Sequence, residues 1–234
     1  MTPALPNTSE SAQHRWLDRQ ESLIASLTIQ PFLLVVRPSH EDLDQQALDA
    51  GSALLAQLAT LEAAGLRHLE LAWSPHPGWC GLLHSIQVSF PKLSLGAASV
   101  TDRRALDDLE RLNLPYAMSP CWDSELQFEA RSRGLLVVPG VFSPTEVMQA
   151  SQAGCRLVKL FPAATVGREY WSRLRSPLGT LPFVIAAGGL AATDLQDWLN
   201  AGHDAVALGR SVVQFSGVHP ELLDLLQRST ITVS

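Results

Sequence analysis

The stretch FVIAAGGLAATDLQDWLNAGHDAVALG, residues 183–209, contains one complete strand–helix–strand unit. Its apolar start, 183–187, is typical of a buried strand and is followed by two glycines. A helical segment then begins near Thr193 and ends at Gly202, and a second apolar run follows at 204–209. Two such runs joined by a helix predict parallel strands connected by a right-handed crossover.

The same unit repeats along the chain from Pro31 onward. The eight apolar runs are PFLLVVR (31–37), LRHLELA (66–72), KLSLGAA (92–98), LPYAMS (114–119), LLVVPG (135–140), RLVKLF (156–161), FVIAAGG (183–189) and DAVALG (204–209). Eight units favour a closed (β/α)8 barrel of the TIM type, with an open doubly wound sheet as the alternative. A dinucleotide-binding open sheet carries GxGxxG after its first strand, whereas this first run ends in Arg37-Pro38-Ser39. The sequence therefore predicts the barrel.

Length and composition agree with one large α/β domain. The chain has 234 residues, of which 46% are hydrophobic and 17% charged, and single barrels commonly run to about 250 residues. An amphipathic stretch from about Ser9 to Leu27 precedes the first strand. We therefore predict an N-terminal helical extension over residues 1–30, packed on a barrel that spans residues 31–234.

Charge and cysteine content exclude several classes of partner. A net charge of −6 argues against nucleic acid, because phosphate-tracking surfaces are basic. No apolar run approaches the roughly 20 residues that span a membrane, and the N-terminus lacks a secretory signal pattern, so we predict a cytoplasmic protein. The three cysteines are isolated from one another, which favours neither a disulfide framework nor a zinc site.

Lys159 is the most unusual residue of the chain. The 17 basic residues include only two lysines, Lys92 and Lys159, and the second lies inside an apolar run where strand alternation places it between Leu157 and Phe161 on one face. Loss of hydration lowers the pKa of a buried lysine, and a neutral amine can attack a carbonyl to form a Schiff base. A strand-end lysine that reaches water or pairs with a carboxylate is the alternative, and the run alone leaves both open.

Glu70 is the natural partner for this lysine. It lies in a second apolar run, HLEL at 68–71, where an unpaired buried carboxylate is costly. Inside a barrel it would face Lys159 across the lumen and act as a general acid and base. A structural ion pair between the two residues remains the alternative at this stage.

Two glycine turns predict an anion site at the carboxyl ends of the last two strands. Gly188-Gly189 and Gly209-Arg210-Ser211 each lie between a strand and a helical segment. Loops after strands seven and eight of such barrels commonly bind phosphate through backbone N–H groups and helix dipoles. The Arg210 guanidinium and the Ser211 hydroxyl would complete this site.

Several stretches together resemble one enzyme family. They are HLEL (68–71), LGAASVTD (95–102), YAMSP (116–120), VVPGVFSPTEVMQA (137–150), VKLFPAA (158–164) and the two glycine turns. In order and spacing this set resembles the 2-keto-3-deoxy-6-phosphogluconate (KDPG) / 4-hydroxy-2-oxoglutarate (KHG) aldolases and their relatives, the 2-keto-3-deoxy-6-phosphogalactonate aldolases. The resemblance covers about residues 31–213.

The resemblance implies a class I aldolase without metal or other cofactor. Such an enzyme, usually a homotrimer, cleaves a 2-keto-3-deoxy-6-phospho sugar acid to pyruvate and glyceraldehyde 3-phosphate. The Schiff-base lysine of the family matches Lys159, its acid/base glutamate matches Glu70, and its phosphate-binding residues match Gly188, Gly189, Gly209 and Ser211. Another phosphate-binding barrel enzyme (an isomerase, epimerase or synthase) and a catalytically altered ligand-binding barrel are the alternatives.

Departures from the family pattern bear on substrate choice. Where the gluconate-type enzymes have an arginine after the second strand, this chain has Ser74, and Arg37 at the end of the first strand matches the galactonate type instead. We therefore assign carboxylate recognition to Arg37, whose guanidinium can grip an anion with two hydrogen bonds. Three further departures are Ser99, Cys121 and Ala187. The remaining predicted substrate contacts are Ser99, Pro120 and Phe161.

Overall fold

The fold is known from a computed structural model that describes residues 10–44, 52–209, 213–214, 217–218 and 220–231. Nine strands form the main sheet: β1 Phe32–Val36, β2 His68–Ala72, β3 Ser94–Ala98, β4 Ala117–Met118, β5 Val137–Val138, β6 Gly140–Val141, β7 Leu157–Leu160, β8 Phe183–Ala187 and β9 Ala205–Leu208. A separate antiparallel pair consists of β10 Val213–Gln214 and β11 Gly217–Val218.

The main sheet closes into a barrel. Its strand order is β5-β4-β3-β2-β1-β9-β8-β7-β6, and every pairing in it is parallel. Strands β5 and β6 are the two halves of one barrel strand, separated only by Pro139, which has no N–H to donate to a ladder. The first half pairs with β4 and the second with β7. The predicted (β/α)8 barrel is therefore confirmed.

Helices alternate with these strands around the outside of the barrel. Their bounds are α1 Glu10–Ile29, α2 His40–Asp44, α3 Ala53–Ala63, α4 Trp79–Ser89, α5 Arg104–Arg111, α6 Ser124–Ser132, α7 Pro144–Gln152, α8 Ala163–Val166, α9 Tyr170–Leu178, α10 Leu195–Asn200 and α11 Pro220–Ile231. Residues 39–65, with an acidic turn after Ser39 and Gly65 at the end, predict one helical segment. The structure has two helices there, with residues 45–51 outside the described part. None of the described helices is long and apolar enough to cross a membrane.

Several helix ends follow directly from the local sequence, and one start does not. Ser143 followed by Pro144 is a typical helix start in sequence. The structure confirms it, since Ser143 and Glu146 form the capping box that starts α7 and Pro144 occupies the first helical position. Thr101 precedes leucines at helical spacing (106, 109 and 112), which makes it a candidate cap from sequence. The structure contradicts this: α5 begins at Arg104, and Asp102 Oδ1 accepts the backbone N–H of Arg104.

The lumen of the barrel has its own apolar core. Side chains from alternate positions of the strands meet there, among them Leu33, Met118, Val138, Leu157 and Ile185. A larger apolar layer lies between the outer face of the barrel and the helices. Since the lumen is packed, ligands reach the barrel only at its ends.

Helix α1 closes the end of the barrel formed by the N-terminal ends of the strands, which we call the bottom. Its Leu23 and Leu27 belong to the apolar cluster of the lumen. Polar contacts hold it in place: Arg19 Nη1 donates to the Leu114 carbonyl at 2.8 Å, and Ser26 Oγ lies 2.8 Å from His68 Nε2. The helix predicted for the N-terminal extension is thus present and packs on the barrel.

Candidate active site

A cavity of about 840 Å3 opens at the carboxyl ends of the strands. This mouth cavity is the place where the barrel fold puts active sites. Eight of the residues predicted from sequence line it: Arg37, Ser99, Pro120, Lys159, Phe161, Gly188, Gly189 and Gly209. Two others, Arg210 and Ser211, lie outside the described residues.

Lys159 forms part of the floor of the mouth cavity. It sits on β7 and is only 5% exposed, and its Nζ lies 5.3 Å from the centre of the Phe161 ring. Burial lowers the pKa of Lys159; the charge of Glu70 acts in the opposite direction, and the charge of Arg37 lowers it further. The amine is thus more easily deprotonated than that of an exposed lysine.

Glu70 lies beneath the cavity floor, on β2, in the part of the ring opposite β7. Its side chain is fully buried, and neither carboxylate oxygen has a hydrogen-bond partner within the described part of the chain. Burial raises the pKa of Glu70 to about 7, and the positive charge of Lys159 opposes this rise. No donor of the described residues lies within hydrogen-bond distance of the Glu70 carboxylate, so the ion pair with Lys159 that the sequence left open does not form.

Arg37 and Ser99 meet at the rim of the mouth cavity. Arg37 Nη2 donates to Ser99 Oγ at 3.4 Å, a long contact that leaves the remaining guanidinium donors facing solvent. Ser99 has φ +61°, a conformation that is uncommon for residues other than glycine and that clusters at functional sites. Arg37 is exposed and is therefore free to reorient toward a bound anion.

The glycine turn after β8 packs tightly against the segment after β7. Gly188 and Gly189 have φ of +95° and +80°. A Cβ atom on Gly188 would lie 2.9 Å from the Phe161 ring, and one on Gly189 would lie 2.9 Å from Ala164 Cβ. Only glycine fits at both positions, and the exposed backbone of this turn lines the cavity.

Most of the chain, including the strands that carry Glu70 and Lys159, matches one family model. The model of the family described as "Aldolase: KDPG and KHG aldolase" matches residues 46–228. The chain belongs to this aldolase family. The resemblance expected from the sequence motifs is therefore confirmed, and the protein is an aldolase, a carbon–carbon lyase.

Individual relatives of this aldolase come from both substrate types. The 2-dehydro-3-deoxy-6-phosphogalactonate aldolase of Escherichia coli K12 is 29% identical over 156 residues, which cover 66% of this chain and 76% of the relative. The 2-dehydro-3-deoxy-phosphogluconate aldolase of Pseudomonas aeruginosa is 30% identical over 155 residues, which cover 65% of this chain and 69% of the relative. The two identities are too close to indicate which substrate this aldolase prefers.

A solved structure confirms the fold of this aldolase. The KDPG aldolase of Legionella pneumophila, described with pyruvate captured at low pH as a covalent carbinolamine intermediate, has a TM-score of 0.70 at 22% sequence identity. The match covers 90% of this chain and 97% of that one. At this identity the likeness supports the barrel alone.

Sequence reasoning missed several polar residues in and beneath the mouth cavity. Thr101 and Thr165 line the mouth cavity, and the buried His68 and Tyr116 lie near Glu70 in the lumen. Strand alternation carried a signal for His68, because it stands two positions before Glu70 and so shares its face. No cluster of three His, Cys, Asp or Glu side chains suited to a metal ion occurs among the described residues.

Proposed function

We propose that this protein is a class I aldolase that cleaves a 2-keto-3-deoxy-6-phospho sugar acid, of gluconate or galactonate configuration, to pyruvate and glyceraldehyde 3-phosphate. One observation carries the proposal. A lysine with a lowered pKa lies at the floor of the mouth cavity, above a buried carboxylate that has no hydrogen-bond partner among the described residues. A deprotonated amine beside a proton acceptor is what Schiff-base chemistry requires.

The carbonyl chemistry is assigned to Lys159 and Glu70. The Lys159 amine attacks the C2 ketone, and loss of water from the carbinolamine leaves a protonated imine. Glu70 takes the proton of the C4 hydroxyl, the C3–C4 bond breaks, and its electron pair forms an enamine as the aldehyde leaves. The enamine takes up a proton at C3, and water hydrolyses the imine to release pyruvate and free the amine.

The two ends of the substrate are assigned to two different groups of residues around the mouth cavity. Arg37 is the cation at the rim on the β1 side and binds the carboxylate of the pyruvate moiety. The backbone of Gly188, Gly189 and Gly209 binds the phosphate, with Arg210 and Ser211 expected to assist. Pro120 and Phe161 provide apolar walls, and Ser99 offers a hydroxyl beside Arg37.

Reductive trapping tests this proposal. The protein is incubated with pyruvate and borohydride, digested, and analysed by peptide mass spectrometry. We expect a reduced pyruvyl adduct on Lys159, since borohydride reduces the imine to a stable secondary amine. Lys92 is the only other lysine and is exposed, so it serves as an internal control that stays unmodified.

Two variants complete the test. Lys159→Arg keeps the positive charge without a usable nucleophile, so we expect no adduct and loss of cleavage of both sugar-acid epimers. Lys92→Arg is the matched control and should keep both adduct formation and cleavage activity. An adduct on another residue, or cleavage retained by Lys159→Arg, would refute the mechanism.

A further inference from the structure

The lower half of the lumen contains three buried polar side chains, His68, Glu70 and Tyr116. Four of their atoms have no hydrogen-bond partner in the described part of the chain: His68 Nδ1, both Glu70 carboxylate oxygens and Tyr116 Oη. Buried polar atoms are nearly always satisfied. Their concentration in one small region of the barrel therefore requires an explanation.

The backbone register places Tyr116 beside Glu70. Glu70 pairs directly with Gly96 of the neighbouring strand β3. A Cβ atom on Gly96 would lie only 2.6 Å from Tyr116 Cε2 and 2.7 Å from Tyr116 Cζ. The hydroxyl-bearing end of the tyrosine ring thus lies over Gly96, next to the strand position that carries Glu70.

His68 links the same region to the bottom of the barrel. It precedes Glu70 by two residues on β2, so both side chains share the lumen face, and its ring meets that of Tyr116 edge-on with centroids 6.3 Å apart. On its other side, His68 Nε2 lies 2.8 Å from Ser26 Oγ of helix α1. One imidazole nitrogen therefore contacts the closing helix, and the other is buried without a partner.

A second cavity lies at this end of the molecule. This bottom cavity has a volume of about 290 Å3 and is lined by Arg19, Ser22, Ser26, His68, Asn113 and Tyr116, together with three further residues. Glu70 does not line the mouth cavity. His68 and Tyr116, which share the lumen with Glu70 and also have unpartnered polar atoms, both line the bottom cavity.

We propose that buried water joins Glu70 to Tyr116 and His68, and that this chain carries protons between Glu70 and solvent at the bottom of the barrel. Buried water typically makes two to four hydrogen bonds to otherwise unsatisfied polar groups. The imidazole of His68 takes up a proton at one nitrogen and releases one from the other, so each transfer leaves it neutral. Ser26 Oγ passes that proton to or from the bottom cavity.

The electrostatics fit a neutral relay. Burial lowers the pKa of His68 to about 4, so its imidazole is uncharged near neutral pH. The charge of Lys159, on β7, lowers the pKa of Glu70, and the charge of Glu70 raises the pKa of Tyr116, which lies just before β4. His68, on β2 with Glu70, is influenced in turn by the charge of Arg67. When substrate fills the mouth cavity, the bottom route still lets Glu70 exchange protons.

Exchange of the pyruvate methyl protons in D2O, followed by proton NMR, tests the relay. This inference rests on the proposed function, because exchange requires the enamine on Lys159 and proton removal by Glu70. Tyr116→Phe deletes the hydroxyl and keeps the ring over Gly96, and His68→Gln removes the two-nitrogen relay. We expect each to slow exchange by at least about tenfold, while borohydride still gives the full Lys159 adduct.

Tyr170→Phe is the matched control, since Tyr170 is the only other tyrosine and its hydroxyl donates to the Phe142 carbonyl at 2.8 Å. The pyruvate methyl protons should exchange at the wild-type rate in this variant. Ser26→Ala is a milder variant on helix α1 and should also slow exchange, which keeps the test usable where a lumen variant folds poorly. Wild-type exchange in folded Tyr116→Phe or His68→Gln overturns the relay, whereas absence of an adduct in the wild-type protein overturns the proposed function itself.

Discussion

Glu70 shifts the pKa of Lys159 across the barrel lumen, yet its carboxylate accepts no hydrogen bond from it or from any other described residue. The two residues come from β2 and β7, on opposite sides of the ring of strands. Each is buried, and burial disfavours the charged form of both. This arrangement fits the proton transfer proposed for Glu70, and the first two predictions test it.

Replacing Glu70 with Gln removes the proton acceptor while conserving size. We expect cleavage to fall by about a hundredfold or more, the usual contribution of general acid–base catalysis. Steady-state assays with both sugar-acid epimers measure the effect. Glu169→Gln is the control, since that carboxylate is exposed and pairs with Arg173 on helix α9; a loss equal to that of Glu70→Gln would contradict the assignment.

The raised pKa of Glu70 predicts a definite dependence of stability on pH. Between its ordinary value of 4.5 and its folded value of about 7, the unfolded chain has released this proton while the folded chain retains it. The folded state then binds more protons, so stability falls as pH rises through this window. The glutamine of Glu70→Gln does not titrate in this window. The free energy of unfolding of this variant, relative to that of the wild type, should therefore rise by up to about 3 kcal/mol from pH 4.5 to pH 7.

Urea unfolding of both proteins at several pH values measures this difference. The same comparison in a Lys159→Met background removes the titration of Lys159, whose pKa the charge of Glu70 raises. A stability difference that stays constant from pH 4.5 to pH 7 would show that Glu70 titrates normally in the folded protein.

Arg37→Ala tests recognition of the carboxylate. The guanidinium is exposed and makes one long contact, to Ser99, so its loss should affect ligand binding more than stability. We expect the KM for the sugar acid, and the pyruvate concentration for half-maximal trapping, to rise about tenfold or more. Arg173→Ala, an exposed position on helix α9, should leave both values unchanged; an unchanged pyruvate requirement in Arg37→Ala would exclude Arg37 as the carboxylate ligand.

Gly188→Ala and Gly179→Ala form a matched pair for the glycine turn. Both glycines have positive φ, +95° and +76°, but only the added methyl at 188 would meet a neighbour, the Phe161 ring at 2.9 Å. We expect Gly188→Ala to lower the free energy of unfolding by about 1–3 kcal/mol more than Gly179→Ala does, and to raise the KM for phosphorylated substrate. Thermal melting and steady-state kinetics measure this, and equal behaviour of the two variants would argue against a tightly packed phosphate turn.

Leu27→Ala tests how much helix α1 stabilises the barrel. Leu27 is fully buried in the apolar cluster of the lumen, so the cavity left by its truncation should cost about 2–5 kcal/mol. Ile29→Ala, on the same helix but 53% exposed, should change the free energy of unfolding by only about 0.5 kcal/mol. Chemical denaturation of both variants decides whether α1 is part of the folded core.

The fold was largely predictable because its signal is local. All eight apolar runs contain barrel strands, since each run needs only β-forming residues bounded by turns. Strand lengths were not predictable: LPYAMS gives only the two-residue β4, and LLVVPG gives a strand interrupted at Pro139. How far a run pairs depends on its neighbours in the ring, which lie far away in sequence.

The candidate site was predictable in part, for a related reason. Lys159, Arg37 and the glycine turns stand at strand ends, and parallel strands bring those ends together in one mouth cavity. His68 and Tyr116 were missed, because a histidine and a tyrosine in apolar runs have ordinary packing roles unless their polar atoms lack partners. The homotrimer and the cytoplasmic location stay predictions from sequence.

The sequence by itself determined that eight strand–helix units follow one another, that a single lysine lies among apolar residues, and which family the chain resembles. These properties depend on residue type and spacing alone. Only the tertiary structure decided that Glu70 lies beneath the cavity floor without an ion pair, that Tyr116 covers Gly96, and that helix α1 closes the bottom of the barrel. Burial and pKa are set by neighbours that closure of the barrel brings together, and that closure is a long-range event.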